Sequence, residues 1–96
     1  MRIAIVDDQA PERTLLRGRL ERALGRRSVQ ADFFEYENGE AYLEAAKAER
    51  FSAAFLDVYM PGISGVEAAR ALRTFDSACL LIFTTTSTDH ALEGFQ

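Results

Sequence analysis

Cysteine is nearly missing from these 96 residues: Cys79 stands alone. That excludes an internal disulfide and a cysteine-rich metal site, and it suits a reducing compartment, so a cytoplasmic location is expected. Cys79 opens an apolar run, which points to a buried structural thiol rather than a reactive one. No apolar run approaches the ~20 residues of a membrane span, and Arg2 and Asp7-Asp8 break any signal-peptide pattern at the start, so no membrane contact is expected. Positive charge is also in deficit. Eleven Lys and Arg against 15 Asp and Glu leave a net charge of −4, with no electrostatic reason to bind nucleic acid. Arg26-Arg27 is too short for a nucleic-acid patch. Lysine occurs once, as Lys47. Repeats, low-complexity segments and linkers are absent, and the length suits one domain spanning 1–96.

What is present is organised around residues 53–65, AAFLDVYMPGISG. Ala53-Ala54-Phe55-Leu56 is a short apolar run that stops at one acid, Asp57. Pro61-Gly62 follows as a turn, and Ser64-Gly65 opens a helical pattern. Such a run reads as a strand buried on both faces of a parallel sheet. Chemistry in such sheets collects at the carboxyl ends of the strands. On this segment alone Asp57 has two readings, a strand terminator or a functional group.

The rest of the chain decides between them. Residues 3–6 form a β-rich run ending at Asp7-Asp8. Pro11 suits a first helical turn. Leu16, Leu20, Ala23 and Leu24 then recur at helical spacing, predicting an amphipathic helix closed by Gly25. Residues 29–36 alternate as a second, more exposed strand, and Asn38-Gly39 turns into a helix over about 40–49. The Asp57 strand is third, and a helix over 64–73 is expected to present Val66, Ala69 and Leu72 to the core. Residues 79–83 read as a fourth buried strand, 84–88 as a polar loop, and Asp89 as the cap of a helix barely begun at Gln96. Alternation of this kind predicts an α/β fold with a parallel sheet. Right-handed crossovers then deliver Asp7-Asp8, Asp57 and the threonine loop to one rim. A helix N-terminus explains one acid there, but three would repel unless a cation sits among them. An oxygen-only cluster suits Mg²⁺.

The segments IAIVDDQ, FLDVYMPGISGVE and LLIFTTTSTDHALEGF together resemble the receiver domain of two-component response regulators. The last is most similar to receivers that precede a LytTR-type DNA-binding domain. The resemblance implies a flavodoxin-like (CheY-like) sheet flanked by helices, of order 2-1-3-4 here because the family's fifth strand and helix lie beyond Gln96. It implies Asp57 as the phosphoacceptor for a sensor histidine kinase. It implies Mg²⁺ held by Asp7, Asp8, Asp57 and the Tyr59 backbone carbonyl, and Thr85 as the hydroxyl that hydrogen-bonds the phosphoryl group. Tyr59 occupies a position that influences phosphoryl lifetime in this family. The domain is then not an enzyme, assisting only its own phosphoryl transfer and autodephosphorylation. It switches a transcriptional output, with DNA reached only through a C-terminal output domain that is absent here.

The family's fifth-strand lysine has no counterpart, since Lys47 lies in the second helix. The chain is therefore read as truncated, short by roughly 20–25 residues. Residues 80–83 would then be an uncovered apolar edge, and a homodimer or a strand- or helix-exchanged oligomer is expected. A degenerate receiver that binds partners without phosphorylation is the alternative function. Nucleotide or flavin binding is disfavoured because residues 7–10 contain no glycine to admit a phosphate. An aspartyl phosphatase is disfavoured because Tyr59 stands where a second acid belongs. His90 reads as a surface residue, and Phe33, Phe34, Phe55, Phe75 and Phe83 as packing.

Overall fold

The computed structural model describes residues 1–85. Strands and helices alternate as β1 Arg2–Val6, α1 Ala10–Arg26, β2 Asp32–Tyr36, α2 Gly39–Ala48, β3 Ala53–Asp57, α3 Gly65–Arg73 and β4 Leu80–Thr84. The sheet has the order β2-β1-β3-β4, with every neighbouring pair parallel, as the sequence predicts. Side chains alternate across it. Ala4, Val6, Ala54 and Leu56 join Tyr42, Ala46, Phe51, Ala69 and Leu72 in one core under α2 and α3. Ile3 and Ile5 are buried on the opposite face, the side of α1. Phe51 and Tyr42 anchor the first core, their ring centroids 5.7 Å apart.

Several expectations are corrected. Gly25 does not close α1, which runs on to Arg26. The left-handed residue is Ser28, at φ 56°. Its N–H donates to the Gly25 carbonyl at 3.1 Å and the Val29 N–H to the Leu24 carbonyl at 2.9 Å, the pairing that satisfies the last free carbonyls of a helix. That closure consumes residues 27–29, so β2 starts at Asp32 rather than at 29. α1 buries no residue fully: Leu16, Leu20 and Leu24 are half-buried and Ala23 is exposed.

In α3 the core face is Gly65, Ala68, Ala69 and Leu72, while Val66 is 37% exposed. Ala68 lies four residues before Leu72 on the inner face, which leaves Val66 on the shoulder of the helix. β4 is displaced by one residue from the expected 79–83, because the Asp76 carboxylate accepts the Ala78 and Cys79 N–H groups and holds them in a turn. Nor is β4 a buried strand among the described residues, since Leu80 is 63% exposed. Cys79 is a buried free thiol, as expected. The end of the threonine loop, the helix capped by Asp89, and His90 lie outside the described residues.

Candidate functional site

Three strand ends converge on one rim of the sheet. The Asp7 N–H donates to the Tyr36 carbonyl at 3.0 Å, extending the β1–β2 ladder one residue and fixing Asp7 beside the end of β2. Asp57 is the last residue of β3, in register with Thr84 of β4. The Val58 N–H donates to the Thr84 carbonyl at 3.0 Å, so β4 holds the backbone just past the acid. Carboxylate oxygens of Asp7, Asp8 and Asp57 come within 4.8 Å of one another. Asp57 is 1% exposed and Asp7 is 5% exposed, while Asp8 is half-buried.

The turn after β3 allows this arrangement. Gly62 sits at φ +80°, a region where a side chain is strained. Gly65 approaches the strand end so closely that a Cβ would lie 2.3 Å from the Asp57 carbonyl oxygen. Its N–H donates to the Val58 carbonyl at 3.1 Å. Ser64 caps α3 by accepting the Glu67 N–H, and the Glu67 carboxylate accepts the Ser64 N–H in return. The start of α3 is thus tied to the backbone that carries Asp57. A Ser three residues before a Glu signals this box in the sequence; nothing there signals the close approach of Gly65.

The electrostatics are those of buried acids crowded together. Burial and then the neighbouring Asp7 push the Asp57 carboxyl up to about 6 from 3.8, against the opposing Tyr59 N–H. Asp7 is also raised, chiefly by burial, although the Gln9 N–H donates to its Oδ1 at 2.8 Å and Arg13 stands near. Asp57 Oδ1 accepts the Tyr59 N–H at a long 3.4 Å. Asp57 Oδ2 is buried with no hydrogen-bond partner among the described residues. A buried carboxylate oxygen without a donor is costly in isolation. An oxygen-only donor set around it fits a hard divalent cation such as Mg²⁺.

Thr85 follows β4 directly, is exposed, and lines a cavity of about 150 Å³ together with Asp7, Glu12 and Thr84. The expected hydroxyl and the three expected acids therefore share one rim. Tyr59 lies in the turn past β3 with its residue 47% exposed. Lys47 does not reach the site: its ammonium lies 5.9 Å from the Phe75 ring in the last turn of α2.

Comparison with known proteins agrees with this geometry. The family model described as the response regulator receiver domain matches residues 3–95. The virulence sensor protein BvgS of Bordetella pertussis is 40% identical over 78 residues, covering 81% of this chain and 6% of that protein. The transcriptional regulatory protein ResD of Bacillus subtilis is 30% identical over 96 residues, covering 99% of this chain and 38% of ResD. The chain thus spans well under half of either relative. Among solved structures, the response regulator TrrA of Thermotoga maritima, in complex with Mg²⁺ and BeF, is similar with a TM-score of 0.78 and 29% identity, over 96% of this chain and 75% of that one.

Proposed function

The chain belongs to the response regulator receiver domain family of two-component systems, and on that premise we propose that Asp57 accepts a phosphoryl group from a sensor histidine kinase. The observation that carries this reading is the buried Oδ2 of Asp57, unpartnered among the described residues, inside a cluster of carboxylates. With its carboxyl near 6, Asp57 is largely ionised at neutral pH and can act as a nucleophile. Oδ2 forms the bond to phosphorus as the bond from phosphorus to the kinase imidazole breaks, and the imidazole nitrogen takes up a proton. The Thr85 hydroxyl then donates to a phosphoryl oxygen. Asp7, Asp8, Asp57 and the Tyr59 carbonyl would hold Mg²⁺. The ion would offset the charge of the acids and of the phosphoryl oxygens. Water attack on the acyl phosphate returns the domain to its resting state without another enzyme. The reading includes a cytoplasmic location and a transcriptional output domain of LytTR type, the support for the latter being similarity to the sensory transduction protein LytT of Oceanobacillus iheyensis.

The test is mass spectrometry after incubation with a small phosphodonor and Mg²⁺. A hydroxylamine-labile adduct is expected on the wild type and none on Asp57→Asn. An adduct that persists in the variant removes Asp57 from its role. A protein that binds Mg²⁺ yet never acquires an adduct is the degenerate receiver.

Self-association belongs to the same proposal. Among the described residues β4 is a sheet edge with Leu80 and Phe83 exposed at 63% and 47%. Val66, Ala69, Leu81 and Phe83 line a mainly apolar groove beside it, together with Arg70 and Arg73. An edge of this kind recruits another strand. The 96-residue chain is expected to run as a dimer or larger species in light scattering. A cooperatively melting monomer at ~100 μM, well above typical protein–protein dissociation constants, would contradict this.

A further inference from the structure

We propose that Arg13 is a positioning residue for the metal-binding acids, a step that rests on the acidic pocket being a Mg²⁺ site. Arg13 lies in the first turn and a half of α1, and its side chain is 16% exposed. Its Nη1 donates to the Asp7 carbonyl at 2.7 Å, the shortest of the contacts around that turn. Its Nε donates to Glu35 Oε1 on β2 at 3.1 Å. Arg17, one turn further along α1, donates through Nη1 to Glu35 Oε2 at 3.0 Å. Glu35 is thus held by two guanidinium groups, which ties Arg13 to β2.

The consequence lies in the peptide between Asp7 and Asp8. Asp7 is the residue at which β1 stops being a strand, and its carbonyl begins the loop. A buried carbonyl needs a donor, and Arg13 supplies it. The orientation of that carbonyl sets the plane of the next peptide, and with it the direction in which the Asp8 side chain leaves the backbone. Inside the turn the Gln9 N–H ties the Asp7 carboxylate; outside it Arg13 ties the Asp7 carbonyl. A guanidinium can do both of its jobs at once because its donors are fixed in one plane. An ammonium has three donors but only one nitrogen to place them on, so it cannot reproduce the two separate points from which Nε and Nη1 reach Glu35 and the carbonyl.

Charge and geometry predict opposite signs, and that makes the role testable. Arg13 is a positive charge close to a cation site, so removing it should tighten Mg²⁺ binding if charge were all that mattered. Removing a group that orients a ligand typically weakens binding by roughly ten-fold or more. Mg²⁺ titrations of the chain, followed by tyrosine fluorescence and by NMR amide shifts, are to be compared for wild type, Arg13→Met and Arg13→Lys, with thermal melts of each. Asp8→Ala serves as the reference for a lost ligand. Both Arg13 variants are expected to bind about ten-fold more weakly while still melting cooperatively. Arg13→Met matching or exceeding the wild-type affinity overturns the proposal. If Arg13→Met does not fold, Arg13→Lys decides alone, and wild-type affinity in that variant overturns it equally. A folded wild type that binds no Mg²⁺ refutes the metal site itself and is told apart from both results.

Discussion

Replacing Asp57 by Asn is expected to raise the stability of the metal-free protein at pH 7 by about 2 kcal/mol, or on the order of 10 °C in Tm. Burial and Asp7 lift the Asp57 carboxyl from 3.8 to about 6 in the folded state. Below about pH 4 the carboxyl is protonated both folded and unfolded, and it costs nothing. Between about pH 4 and 6 the folded chain holds a proton that the unfolded chain has released, so folding grows less favourable as pH rises. Above the folded value the full cost is present, roughly 3 kcal/mol. Asn removes the charge but leaves an amide imperfectly paired, hence the smaller net gain. Asp7 is raised in the same direction. Asp76 and Glu67 are lowered by backbone donors, and their contribution is lost only at more acidic pH. Urea unfolding in chelating buffer from pH 4.5 to 7.5 checks the sign. Wild type should lose stability across that window and Asp57→Asn should lose much less. A variant less stable than wild type at pH 7 would show that Asp57 is not a strained, unpaired acid.

Gly65→Ala is expected to cost about 3 kcal/mol and to displace Asp57. The new Cβ would lie 2.3 Å from the Asp57 carbonyl oxygen, 2.9 Å from its carbon and 3.1 Å from the Val58 Cα. All three are backbone atoms of the strand end, with no flexible side chain to yield. Either β3 retreats from β4, breaking the hydrogen bond from Val58 to Thr84, or α3 moves off the core face formed by Ala68 and Leu72. Gly25→Ala supplies the contrast, because a Cβ there meets nothing within 4 Å and the residue lies inside α1. That change is expected to stabilise by ~0.5–1 kcal/mol through helix propensity. Chemical denaturation of both variants checks the pair, and Gly65→Ala within 1 kcal/mol of wild type would refute the close approach.

The sequence by itself determined the alternation of elements, the parallel sheet and the rim on which the acids meet. Apolar runs that end at Asp7 and Asp57 carry that information locally, and short crossovers leave one topology. The order of the strands and the family came from three spaced motifs in their proper sequence. Helix ends were less legible. Gly25 had the composition of a terminator, yet Ser28 took the left-handed position, because where α1 stops is set by where the chain must turn to reach β2. The sequence placed Ala69 and Leu72 on the buried face of α3, and only the tertiary structure decided that Ala68 rather than Val66 completes it, since the two differ by about half a turn. The tertiary structure alone revealed that Gly65 is needed for contact with β3, that Asp57 Oδ2 lacks a donor among the described residues, and that Arg13 and Glu35 hold the Asp7 turn. Those facts depend on atoms that the fold brings together, from 6 residues apart for Arg13 and Asp7 to 22 for Arg13 and Glu35. An arginine on an amphipathic helix looks the same in sequence whether it faces water or a carbonyl, and only packing in three dimensions tells the two apart.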